Sequence, residues 1–239
     1  MRDRSELKSP GIMGGDGTAA DALRGEFDLK NMQIFCGEAP ITLCFFGDSI
    51  TNLMEPSAFY GRFGPCINRG ISGDSVHIMA RRFEADVLQL KPRLCVMLGG
   101  INNTWILDGT VDENGQPSPE EEEGVYRLVR ESYVSILEAA RSAGQAMILC
   151  SVMPVTRQIG LADMRNRVVL GINRIIKELC DEYGVPYADY HSRLVSEDGL
   201  TLRDGLSDDG LHPHFKGYRE MAAVLTPLLE TFFAEHGNG

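Results

Sequence analysis

Three short stretches of this chain are apolar almost without a break: ITLCFF at 41–46, LCVML at 94–98 and AMILCSV at 146–152. A strand with one wet face alternates polar and apolar residues, so a continuous run indicates burial on both faces, as in a parallel sheet. PCIN at 65–68 and VPYADY at 185–190 are shorter candidates for the same sheet. Between these runs, apolar residues recur at spacings of three and four. One stripe is Val76, Met79, Phe83 and Val87, and a second is Val125, Val129, Ile136 and Ala140, with a gap at Ser132. Met164, Val168, Ile172, Ile175 and Leu179 form a third, and Met221, Leu225, Leu228 and Phe232 a fourth. Each stripe predicts an amphipathic helix with one face on a core. Strands alternating with helices predict an α/β fold: a three-layer α/β/α sandwich on a central parallel sheet of about five strands, with right-handed crossovers.

A chain of 239 residues suits one such domain. Residues 1–30 are polar, rich in glycine and without periodicity, which predicts an N-terminal extension, partly mobile or wrapped on the domain formed by 31–239. The GGDG at 14–17 follows no strand and precedes no Gly-Lys-Ser/Thr, so it reads as a linker, not a phosphate loop. The segment 104–123, TWILDGTVDENGQPSPEEEE, reads as an acidic insertion, either a solvated surface loop or a lid or pocket wall.

The formal net charge of −11 sets the chain against phosphate backbones and anionic membranes, so no nucleic acid and no membrane are expected as partners. No run of about 18 apolar residues is present to span a bilayer. The first residues lack the apolar centre of a secretory signal. The six cysteines are scattered, without a CxxC pair, and Cys44, Cys95 and Cys150 lie in apolar runs, where a thiol behaves as a small hydrophobe. A cytoplasmic, reducing location is the expectation.

In open parallel sheets the ligand site lies at the carboxyl ends of the strands. The residues there are Gly47-Asp48-Ser49-Ile50 after the first run, Asn68-Arg69-Gly70-Ile71-Ser72-Gly73 after the second, and Gly99-Gly100-Ile101-Asn102-Asn103 after the third. Asp209-Gly210-Leu211-His212-Pro213 precedes the last helix. A serine hydroxyl needs a base to become a nucleophile, and histidine held by a carboxylate is the usual base near neutral pH. Asp209 and His212 are spaced to meet within one turn of chain. Each residue also has a plainer reading: Ser49 as a helix cap, Asp209 as a turn residue, His212 as a cap or core histidine. Asp204, Asp208, Asp209, His212 and His214 are, besides, residue types that bind divalent metals.

Those four blocks, in that order and spanning residues 47 to 213, resemble the blocks of the GDSL/SGNH serine hydrolases. GDS-I is similar to their first block, NRGISGD to their glycine-bearing second, GINN to their G-x-N-D, and DGLHP to their D-x-x-H. The chain has no G-x-S-x-G, the mark of the nucleophile elbow of α/β-hydrolases. The resemblance implies a flavodoxin-like strand order and an esterase with Ser49 as nucleophile, His212 as base and Asp209 as its orienting acid. It implies an oxyanion hole from the backbone amides of Ser49 and Gly70 and the side-chain amide of Asn102. Asp48, Asn103 and Trp105 are candidates for the substrate pocket, with Ile106 beside Trp105 as a possible acyl wall. Asn103 stands where the family pattern usually has aspartate, a departure that resembles the platelet-activating-factor acetylhydrolase-like branch. No metal and no organic cofactor are expected. The expected partner is a small soluble ester, such as an O-acetylated sugar. A lysophospholipase, a thioesterase and a non-catalytic binding module on the same fold are the alternatives.

Overall fold

The computed structural model describes residues 2–11 and 18–237; the GGDG stretch lies outside the described residues. Five parallel strands form one sheet: β1 (Leu43–Gly47), β2 (Cys66–Gly70), β3 (Leu94–Leu98), β4 (Met147–Cys150) and β5 (Tyr187–Ala188), in the order β2-β1-β3-β4-β5. That is the flavodoxin-like order. β1, β3 and β4 are buried along their whole length, which is why they carry no alternation, whereas the edge strand β2 is half-exposed over Cys66–Asn68. In-register pairing sets Gly47 beside Gly70 on one side and beside Leu98 on the other, so these strands end level with one another.

The striped segments are helices: α4 (Val76–Asp86), α5 (Pro119–Ala143), α6 (Ala162–Tyr183) and α8 (Phe215–His236). Three short helices, α2 (Ser49–Asn52), α3 (Pro56–Tyr60) and α7 (Tyr190–Leu194), complete the layers. α4, α5 and α6 touch in succession, as do α3, α8 and α7, and the two sets cover the two faces of the sheet. The gap at Ser132 is filled by the serine itself, buried with its hydroxyl donating to the Leu128 carbonyl. In α8 the innermost residues are Leu229 and Phe233, one position beyond the expected Leu228 and Phe232, which are only partly buried. Doubled residues (Leu-Leu and Phe-Phe) left that register open, and likewise Ile176, not Ile175, is fully buried in α6.

Sequence periodicity does not reveal α1 (Ala19–Gly37), which runs across the 30/31 boundary. Its inward face is Ala20, Arg24, Phe27, Asn31 and Phe35, a regular helical spacing in which two of the five residues are polar. Phe27 and Ala20 pack on Ile71 and Ile78, while Phe35 packs on Ile41 and Leu90. The segment 104–123 is also more ordered than an insertion loop. Ile101–Gly109 is a 3-10 helix and Val111 bridges Pro117. The acidic run opens α5, whose N-terminus has Pro119 in its first turn and a capping box between Ser118 and Glu121. Carboxylates there face the positive end of the helix dipole.

Candidate active site

β1 ends at Gly47 and the chain turns at once into α2. The helix cap is Asp48, whose Oδ1 accepts the Ile50 amide at 3.0 Å. Ser49 is therefore the first helical residue and its hydroxyl is not spent on capping. That hydroxyl lies 2.8 Å from His212 Nε2. On the other side of the ring, His212 Nδ1 is 2.6 Å from Asp209 Oδ2. An ionised carboxylate only accepts hydrogen bonds, so Nδ1 carries a proton, and in the neutral ring Nε2 is then the atom that accepts from Ser49.

The loop holding Asp209 and His212 is folded around the carboxylate. Asp209 Oδ1 accepts the backbone N–H of His212 at 2.7 Å, that of Leu211 at 2.9 Å and the Ser207 hydroxyl at 3.0 Å. Burial raises the proton affinity of this carboxyl, but the bonds from the His212 ring and amide, the Leu211 amide and Ser207 outweigh it and hold Asp209 well below the usual carboxylate range. Gly210 has φ +86°, and a side chain there would strike the Thr156 hydroxyl, so glycine is required for the turn. The loop is tied down by the Ser207–Pro213 bridge and by the Thr156 N–H, which donates to the Gly210 carbonyl at 2.9 Å. Asp208 faces solvent, 4.0 Å from His214. Among the described residues, no three His, Cys, Asp or Glu side chains converge as a metal-binding group.

Gly70, expected as an oxyanion donor, does not offer its amide. That N–H donates to Asn68 Oδ1 at 2.8 Å, and a Cβ at Gly70 would land on the backbone of Asn52. The glycine is there for the close passage of two backbones. In the turn closed by the Asp74 N–H to the Ile71 carbonyl, the amides of Ser72 and Gly73 have no partner among the described residues, and Gly73 is the exposed one. The Ser49 amide is likewise unpartnered among the described residues. Asn102 lies against the same turn, donating one Nδ2 proton to the Asp74 carbonyl at 2.8 Å and keeping the other.

Asp48 and Asn103, expected to line the substrate pocket, are buried. Asn103 Oδ1 accepts the Val76 amide at 3.1 Å and so caps α4 from outside, in place of Ser75, whose side chain makes no cap. Burial pushes the Asp48 carboxyl up to about 7, despite the opposing Ile50 amide. Trp105 is packed on the core under the guanidinium of Arg165, which lies 3.9 Å from the ring centre, while Ile106 points outward. The Ser49, His212 and Asp209 side chains are thus brought together, the two asparagines take different places, and the turn beside Asn102 holds a free amide at Gly73 that sequence reading does not single out. The Gly-Ile-Ser-Gly spacing holds two glycines, and only the hydrogen bonds separate them.

A model of the GDSL-like lipase/acylhydrolase family matches residues 45–220, a stretch that contains every residue of this arrangement. An acetylxylan esterase from Xylanibacter ruminicola is 25% identical over 157 residues, which are 61% of this chain and 30% of that protein. The match therefore spans less than a third of that relative's length. A GDSL-like lipase from Bacteroides thetaiotaomicron superposes with a TM-score of 0.68 at 23% identity, covering 87% of this chain and 97% of the other. A variant of an acetyl xylan esterase from Geobacillus stearothermophilus superposes with a TM-score of 0.61 at 20% identity, covering 79% and 94%. At such identities the two superpositions show a common fold. No helix among the described residues is long and apolar enough to cross a membrane.

Proposed function

The chain belongs to the GDSL-like lipase/acylhydrolase family, whose reaction is the hydrolysis of ester bonds, and from that premise we propose that it is a serine esterase working through an acyl-enzyme on Ser49. The observation that carries the reading is the His212 ring bridging Ser49 Oγ and Asp209 Oδ2. In this mechanism Ser49 Oγ attacks the ester carbonyl as its proton passes to His212 Nε2, and Asp209 stabilises the imidazolium. The tetrahedral oxyanion is held by the amides of Ser49 and Gly73 and by the free Nδ2 proton of Asn102. The C–O bond to the alcohol then breaks, and the alcohol leaves with the proton from His212. Water attacks the acyl-serine, again giving its proton to His212, and the acid departs as Ser49 recovers its hydrogen. Every step uses side chains and amides of this chain.

The substrate in this reading is a small soluble carboxylic ester, with O-acetyl groups on sugars as the leading class. Support comes from the acetylxylan esterase relative and from the net charge of −11, which disfavours anionic lipid surfaces. The test is hydrolysis of p-nitrophenyl acetate, butyrate and octanoate and of acetylated xylo-oligosaccharide, with fluorophosphonate labelling of wild type and Ser49→Ala. Turnover and labelling of the wild type alone, with acetyl favoured over octanoyl, is the expected result. Labelling of Ser49→Ala would overturn the nucleophile, and preference for octanoyl would overturn the substrate class.

A further inference from the structure

The inward polar residues of α1 belong to a buried ionic chain that ends at the site. Arg24 grips Asp86 with two bonds, Nη2 to Oδ1 at 2.6 Å and Nη1 to Oδ2 at 3.1 Å. Asn31 adds a bond to Asp86 Oδ1 at 2.7 Å. Asp86 in turn accepts from Arg82 Nη1 at 3.0 Å, and Arg82 and Asp86 are wholly buried. Arg82 spends its remaining donors on the ends of the strands: Nη2 on the Gly47 carbonyl at 2.9 Å, Nη1 on the Arg69 carbonyl at 3.0 Å, and Nε on Asp74 Oδ2 at 2.6 Å. Gly47 stands two residues before Ser49. Asp74 closes the turn that carries Gly73, and its carbonyl holds the Asn102 amide.

The charges in this chain are mutually dependent. A buried ionised carboxylate is costly unless it is paired, and a guanidinium has a fixed fork of donors. Without Arg24, Asp86 keeps Arg82 and Asn31 as its only partners in this chain, and the pull on Arg82 competes with its bonds to Arg69, Gly47 and Asp74. The helix outside the sheet thereby governs where the turn Ile71–Asp74 sits. We propose that Arg24 is a positioning residue for ester hydrolysis: through Asp86 and Arg82 it fixes the turn against which the Asn102 amide is aimed at the oxyanion. The proposal rests on the reading of Asn102 as an oxyanion donor.

The experiment is a double-mutant cycle in the full chain with p-nitrophenyl acetate, reading kcat, KM and the melting temperature for Arg24→Ala, Asn102→Ala and their combination. Arg24→Ala is expected to lower kcat by about tenfold or more with KM changed less than about twofold, since the lost alignment matters chiefly in the transition state. In the Asn102→Ala background the same change should cost clearly less than in the wild type, because one of the two donors that the turn aligns is already gone and only the Gly73 amide is left to misplace. Arg24→Lys keeps the charge and loses the paired grip, so it should fall between, and it carries the same comparison if Arg24→Ala does not fold. Phe35→Ala loosens the other end of α1, against Ile41 and Leu90, and should lower the melting temperature while leaving kcat intact. Wild-type kcat in Arg24→Ala, equal loss in both backgrounds, or a parallel loss in Phe35→Ala would each overturn the positioning role. Wild-type kcat in Asn102→Ala would instead overturn the oxyanion reading, and the route through Asn102 with it.

Discussion

Ser49 and His212 are 163 positions apart in the chain, and their side chains meet at 2.8 Å. Nothing local holds them there. Ser49 is set by the end of β1, and His212 by a loop pinned to the Thr156 segment and to α8, whose Tyr218 hydroxyl donates to the Ile50 carbonyl at 2.8 Å. The contact is therefore a product of the whole sheet. His212 is the one partner of the Ser49 hydroxyl among the described residues, so Ser49→Ala should abolish turnover and, with a single hydrogen bond lost and no cavity larger than an oxygen opened, shift the melting temperature by no more than about 2 °C. Circular-dichroism melts beside the activity assay decide whether the loss is chemical or structural.

The two adjacent acids give a second expectation. Asp209 carries four hydrogen bonds, including the one to the His212 ring, whereas Asp208 is solvated. Asp209→Asn should lower kcat by about 10³-fold or more, because an amide there no longer compels the proton onto Nδ1. Asp208→Asn should stay within about twofold, as expected for an exposed charge. Steady-state kinetics on both variants would place the acid at 208 if the ranking were reversed.

Ser49, Asp209 and His212 stand out in the sequence through the resemblance of four blocks taken together; the spacing of three and the end of a strand run alone leave the cap and turn readings open. The buried strands announce themselves by unbroken apolar runs. What stayed hidden did so for physical reasons. α1 hides because Arg24 and Asn31 occupy core positions, and a polar pair on the inward face erases the apolar period. That the Gly70 amide is already taken could not be read from spacing, since it depends on the position of the Asn68 side chain. The start of α5 is marked by the capping box of Ser118 and Glu121, which the reading of 104–123 as an acidic insertion passes over.

The asparagine pair separates chemistry from support. Asn102→Ala should lower kcat by about 10²–10³ with little change in KM, since an oxyanion bond strengthens in the transition state. Asn103 is fully buried and its carbonyl oxygen caps the Val76 amide, so Asn103→Ala should cost about 1–2 kcal/mol of stability and leave low-temperature kcat near wild type. Urea unfolding and kinetics on each variant would expose a swapped assignment directly.

The last expectation concerns Asp48, the cap beneath the nucleophile. Its Oδ2 is buried and has no hydrogen-bond partner among the described residues. Burial is the main cause of its proton affinity rising from 3.8 to about 7; Asp74 adds to the rise, while the Ile50 amide and Arg82 oppose it. The folded state then holds a proton that the unfolded chain has released, over the window from 3.8 to about 7. Stability from this group is complete below the lower value and is lost as pH rises through the upper one, at no more than about 1.4 kcal/mol per pH unit. Asp48→Asn keeps the oxygen that accepts the Ile50 amide and cannot ionise. It should therefore gain on the wild type as pH rises, with the difference in unfolding free energy moving in its favour between about pH 5 and about pH 8. Urea titrations of both proteins at the two pH values measure that difference. A constant offset would mean that folded Asp48 is ionised throughout this range, as it is in the unfolded chain, and would overturn the raised proton affinity.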